Sequence, residues 1–246
     1  TCLPTGRRSS GILSHRQALN IHRQIVAYTP VSYAVGYGHL SMNINIIFMD
    51  NIINTALLVG FVGYVLLGFF LIRASKQKAP VYLLAAISVS SAFWTLGTLL
   101  FRITPSLSSI WFYNKEVIFA AGIIASSFFQ FAIFFSVQKN KSPLWQSLLI
   151  HSPNLIIFYF LQVPNVFIKD IVIQSWGRES ILGYGYLYYG FYIVGYFVAG
   201  LLFLLRGSLK AMGSLKIQLQ YVLLATCITG CIDIYFNLIL TLLGNY

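Results

Sequence analysis

Six long runs of apolar residues, nearly free of charge, alternate along this chain with short polar connections. They lie at about Ile52–Ile72, Pro80–Phe101, Val117–Val137, Leu144–Gln162, Tyr186–Leu205 and Leu219–Leu243. A stretch of roughly 20 apolar residues is long enough for a helix to cross the hydrocarbon of a bilayer. Barrel strands alternate in polarity over about 10 residues, and these runs are too long and too uniform for that. Only helices and closed barrels satisfy every backbone polar group in lipid, so all six runs are predicted as helices. The fold class is therefore all-α, a polytopic membrane helix bundle. The longest connection, 163–185, alternates bulky and polar residues around Ile168–Ile173, turns at Trp176-Gly177 and continues through Glu179–Leu182. It reads either as a short β-hairpin over the outer mouth of the bundle or as an irregular loop.

Composition agrees: 58% of residues are hydrophobic and 9% are charged, which places the chain in a membrane. The placement of charge then orients it. The first connection carries Arg73, Lys76 and Lys78, the third Lys139 and Lys141, and the fifth Arg206, Lys210 and Lys216, none with an acidic residue. The second has Arg102 and then Lys115 beside Glu116, and the fourth balances Lys169 and Arg178 with Asp170 and Glu179. Short basic loops are retained in the cytoplasm. Connections one, three and five are thus expected inside, with the native N-terminus outside. Much of the net charge of +11 is this topological signal, so nucleic acid is rejected as a partner and the lipid bilayer retained. Cys2, Cys227 and Cys231 are too few for a disulfide framework. Cys227 and Cys231, one turn apart, are expected to pack between helices as small residues.

Residues 1–41 differ from the rest. They hold four Arg, three His and no acid, and the weakly apolar stretch Ile25–Leu40 is broken by Pro30. The expectation is a non-native or disordered upstream segment, with the native start at Met42 or Met49 and the bundle over 50–246. The alternative is an extra, poor span at about 25–42.

Charged groups at bilayer depth are costly and become functional candidates. Asp233 stands near the middle of the sixth run, with Thr226, Thr229, Gly230 and Asn237 at turn spacing. These form a polar stripe expected to face other helices, serving as a ligand-binding or proton-sensitive carboxylate or as a structural one. Glu116 is either half of a solvated pair with Lys115 or the rim of an outward pocket. Gly122, Ser126 and Gln130 follow at spacing four, a stripe suited to helix packing and interhelical hydrogen bonds. His151-Ser152-Pro153-Asn154 interrupts the fourth run. There His151 is a candidate pH-sensitive group, and Ser152 and Asn154 are expected to bond the proline kink. Ser88, Ser91, Thr95 and Thr98 share one face of the second run. Tyr188, Tyr192 and Tyr196 share one face of the fifth and are read as pocket walls or as packing. A lone His offers no metal site, no phosphate loop or metalloprotease motif occurs, and no cofactor is expected. No internal repeat supports an inverted-repeat transporter.

Three phrases carry a family resemblance: Tyr184-Gly-Tyr-Leu-Tyr-Tyr-Gly-Phe at the start of the fifth run, Lys216-Ile-Gln218-Leu-Gln-Tyr221-Val-Leu-Leu at the start of the sixth, and Asn237-Leu-Ile-Leu-Thr241-Leu-Leu-Gly244 near its end. Together they make residues 50–246 resemble the N-terminal seven-helix membrane region of bacterial sensor histidine kinases, which also precedes diguanylate cyclase modules. Thr241 stands where that pattern has proline, and the first four runs match only in hydropathy, loop length and charge alternation. The resemblance implies six helices present of seven. It implies a membrane sensory input region that passes a small-molecule or physical stimulus to a cytoplasmic kinase or cyclase module in cis, with a homodimer as an open option. It implies no catalysis by the present stretch. A small-solute transporter or permease subunit, coupling through Asp233 and bending at Pro153, is the alternative. A membrane interaction subunit without a ligand is a third.

Overall fold

The computed structural model describes residues 38–74, 79–137, 143–174 and 177–239. The chain divides into two compact units, residues 1–45 and 46–246. Of the first unit only the helical backbone from Gly38 is described. The proposed upstream segment 1–41 and the extra span at 25–42 therefore lie almost wholly outside the described residues.

The elements follow the hydropathy pattern. Helices α1 (Gly38–Ala74), α2 (Ala79–Ile103), α3 (Leu107–Val137) and α4 (Leu144–Gln162) precede strands β1 (Ile168–Gln174) and β2 (Gly177–Leu182). Helices α5 (Gly185–Lys210) and α6 (Gly213–Ile234) follow, and a π-helical turn spans Tyr235–Ile239. All six helices are long and apolar enough to cross a membrane. Three start well before the apolar runs do. α3, for example, begins at Leu107 because Ser108–Glu116 is polar yet free of helix breakers. Residues such as Val59, Phe70, Leu155 and Phe191 point outward, where hydrocarbon replaces water as the surrounding solvent.

Helix α3 is the hub, packing against α2, α4 and α5, while α6 packs on α5. Its apolar stretch is mostly buried, whereas α1 and α6 are exposed along most of theirs. Small residues bring the backbones together. A methyl added at Gly200 of α5 would sit 2.5 Å from a ring carbon of Phe128 on α3. One apolar core lies toward the hairpin end, around Ile110, Ile118, Ile157, Leu161, Phe167 and Tyr189. A second surrounds Phe128, Phe131, Ala132, Leu204 and Leu219.

The hairpin alternative of the 163–185 connection is the one observed. β1 and β2 pair antiparallel, with an irregularity between Ile168 and Asp170. Its base is closed by backbone bonds from Gly183 N–H to the Phe167 carbonyl and from Gly185 N–H, at the start of α5, to the Val166 carbonyl, each 2.8 Å. A side chain at Gly183 would collide with the Val166 carbonyl, so only glycine admits this approach. Asn165 supplies the left-handed turn ahead of it, with φ 63°. Side chains then lock the hairpin over the helix ends. Asn114 of α3 donates to Ser180 Oγ at 2.7 Å, and the Arg178 guanidinium donates to the Phe101 carbonyl at the end of α2.

Candidate functional site

The polar groups of the bundle interior converge on the seam of α3, α4 and α5. Spacing four places Gly122, Ser126 and Gln130 on one stripe of α3, and Ser126 and Gln130 are buried. On α4, Ser147, His151 and Asn154 recur at spacings of four and three and face that stripe. Tyr192 and Tyr196 reach in from α5 with ring centroids 4.6 Å apart.

The hydrogen bonds run in one sense along this seam. The Tyr192 hydroxyl donates to Asn154 Oδ1 at 2.8 Å, and the Gly122 carbonyl lies 3.1 Å from the same hydroxyl. The Asn154 amide donates to Ser126 Oγ at 2.8 Å. Ser126 Oγ is 2.8 Å from His151 Nδ1, and His151 Nε2 is 2.9 Å from Gln130 Oε1. The Gln130 amide then donates to Ser147 Oγ at 2.6 Å. Because Gln130 Oε1 can only accept, Nε2 of the ring carries a hydrogen, and in a neutral imidazole Nδ1 accepts from Ser126. Aligned donors in a low-dielectric interior polarise one another, so the chain is stronger than its separate links.

Pro153 lies within α4 and lacks an N–H, which deprives the Leu149 carbonyl of its helical donor. The Ser152 hydroxyl replaces it at 2.9 Å. The neighbouring Ile150 carbonyl receives the Tyr196 hydroxyl at 2.9 Å. Ser152 thus does what the sequence reading expects. Asn154 does not: it crosses to Ser126, because a buried amide one helix away from a hydroxyl gains more by bonding it than by turning back to its own backbone.

The other candidates stand apart from this seam. Asp233 is exposed on α6 rather than turned toward other helices. The α6 seam is set by Leu219, Leu223, Thr226, Gly230 and Ile234, with Gly230 against the Phe197 ring of α5. Asp233 lies at the margin of that line, about 60° round the helix from Gly230, and is exposed. Thr229 and Asn237 are exposed with it. The Asn237 backbone carbonyl accepts from the Tyr186 hydroxyl at 3.2 Å. Cys227 and Cys231 are likewise exposed and do not pack between the described helices.

Glu116 does not pair with Lys115. Consecutive helical residues diverge, and Lys115 reaches Gln162 of α4 at 3.4 Å. Glu116 instead presses against Gly97 of α2, and its Oε2 is buried without a hydrogen-bond partner. On the other side of α2, Arg102 binds Asp50 at 2.7 Å and Asn54 at 3.2 Å, an ion pair joining α1 to α2. Tyr188 is 72% exposed; Tyr189 takes the inner position and donates to the Ile118 carbonyl at 2.8 Å. The Thr95 and Thr98 hydroxyls bond their own helix, to the Ser91 and Trp94 carbonyls, and that face serves packing. Among the described residues, no three His, Cys, Asp or Glu side chains are grouped to hold a metal ion.

Of the residues singled out in the sequence, the structure brings together His151, Asn154, Tyr192, Tyr196 and the Gly122–Ser126–Gln130 stripe, and it adds Ser147. No protein-family model, curated protein or solved structure matches the chain.

Proposed function

We propose that this chain is the membrane-embedded input region of a bacterial sensory receptor, biasing a cytoplasmic output module through the packing of its helices. The observation that carries this reading is the hydrogen-bonded seam of Tyr192, Asn154, Ser126, His151, Gln130 and Ser147, built across three helices and lidded at one end by a pinned hairpin. Buried polar side chains are retained in lipid where they do something. A network that joins helices through an ionisable ring is suited to bistable packing, the requirement for passing a signal by population shift. The three sequence phrases shared with the sensor regions of histidine kinases point the same way. The described residues offer the transporter alternative less support, since Asp233, its expected coupling carboxylate, is exposed on α6.

Reading the frame on either side of the chain tests the proposal. A further span followed by a helical linker and a kinase or cyclase module is the expected result. Additional spans repeating the first ones, together with solute uptake by proteoliposomes, would favour transport and overturn it.

A further inference from the structure

The geometry of the seam offers the Ser126 hydroxyl hydrogen two positions. Ser126 Oγ lies within reach of two acceptors, His151 Nδ1 at 2.8 Å and the carbonyl of Ile123, one turn earlier on its own helix, at 3.1 Å. With a neutral ring, the Ser126 hydrogen points to Nδ1. With Nδ1 protonated, the ring donates to Ser126 Oγ, and the serine hydrogen turns to the Ile123 carbonyl. Oγ then accepts from both the ring and Asn154 Nδ2, which its two lone pairs allow. Nε2 donates to Gln130 Oε1 in both states. The rotation of a single hydroxyl therefore accommodates a proton without breaking a bond.

What the loaded state lacks is a counter-charge. α4 itself carries no Asp, Glu, Lys or Arg, and Tyr159 is its one other titratable group. From α3 the ring meets Ser126 and Gln130; the titratable groups of that helix, Tyr113, Lys115 and Glu116, lie ten or more residues before Ser126. From α5 the nearby titratable groups are Tyr192, through Asn154, and Tyr196, on the Ile150 carbonyl. Lys139 and Lys141 are in the α3–α4 connection, outside the described residues. A cation without an anionic partner in a low-dielectric seam is costly, and a packing that admits water relieves it. His151 stands seven residues from the start of α4, the end of the helix toward which such a packing would open.

We propose that His151 is a proton-binding site, that loading it swings the Ser126 hydroxyl onto the Ile123 carbonyl, and that the loaded ring opens the α3–α4 seam toward the end of the bundle where α4 begins. As the identity of the stimulus, this rests on the reading of the chain as a sensory input region. The proton site itself stands on the geometry of the seam.

The test is an imidazole-nitrogen NMR titration of the chain, labelled with ¹⁵N-histidine and held in lipid nanodiscs. Hydrogen exchange of α4 is measured alongside it, corrected for intrinsic rates. The His151→Gln spectrum, or His151→Asn should that variant not fold, removes the signals of the other histidines. The expected result is a His151 Nδ1 signal that passes from unprotonated to protonated between pH 8 and pH 5. It is accompanied by exchange over 147–151 that rises about tenfold, within the range of ordinary two-site couplings, and stays flat in the variant. Ser126→Ala, which removes the rotor, moves the Nδ1 signal at high pH. A ring that keeps one protonation state across the range overturns the site. A ring that titrates while α4 exchange follows the variant overturns the switch. An output module insensitive to pH, with the nanodisc titration intact, overturns the sensory reading and leaves the proton site standing.

Discussion

Ser126 meets Asn154 and His151 of α4 and the Ile123 carbonyl of its own helix at once. Interhelical hydrogen bonds in membranes average about 0.6 kcal/mol each. Ser126→Ala is therefore expected to lower stability by about 1–2 kcal/mol, measured by denaturant titration of the purified chain in mixed micelles. Ser152→Ala removes a single bond to the Leu149 carbonyl, which leaves that acceptor unsatisfied next to Pro153. The cost there is about 1 kcal/mol by the same measurement. Part of this residue-level picture was legible from spacing alone. A stripe at intervals of four on one helix and a His-Ser-Pro-Asn break on another announce buried polarity. Which partner each group takes is a matter of helix rotation and depth, which a single sequence does not encode. Asn154 was therefore read as serving its own kink, Lys115 as serving Glu116, and Tyr188 was read in place of Tyr189.

At the scale of elements, close approach and loop anchoring decide the fold. Gly200 lets α5 lie against the Phe128 ring of α3, so Gly200→Ala forces that ring or the helix to shift, at about 1–3 kcal/mol. Gly195, on the same helix, has nothing within 4 Å of an added methyl, and Gly195→Ala serves as the control without a clash, expected to stabilise by at most about 1 kcal/mol. Thermal unfolding of the two variants side by side checks the contrast. The hairpin depends on fewer ties. Arg178→Ala breaks its bond to the end of α2 and is expected to cost about 1–2 kcal/mol locally. Hydrogen exchange over 168–182 should quicken while the helices stay protected. The six helices were legible because hydrocarbon thickness fixes their length, whereas the alternation of bulky and polar residues over 168–182 left a hairpin and an irregular loop equally open. The face that α6 presents was not legible. Its polar stripe suggested an inward Asp233, whereas the line from Leu219 to Ile234 sets the contact and leaves the carboxylate exposed.

For the whole molecule, six successive crossings put the ends of α1, α3 and α5 on one side and the hairpin on the other, and by the charge pattern the first side is expected in the cytoplasm. Reporter fusions placed at Ser75, Asn140 and Met212 are expected to report cytoplasm, and one at Ser106 the opposite side. The reverse result would turn the whole orientation over. Depth within this frame gives His151 a further property. It lies seven residues inside α4, about 10 Å at the helical rise, or roughly a third of the hydrocarbon core. A proton arriving from the cytoplasm thus crosses about a third of the electric field, and a full crossing is worth about 2.3 kcal/mol per charge per 100 mV. An interior-negative potential of that size would lower occupancy by roughly fourfold, so an energised cell and a depolarised one would present the same cytoplasmic acidity to this ring and obtain different answers.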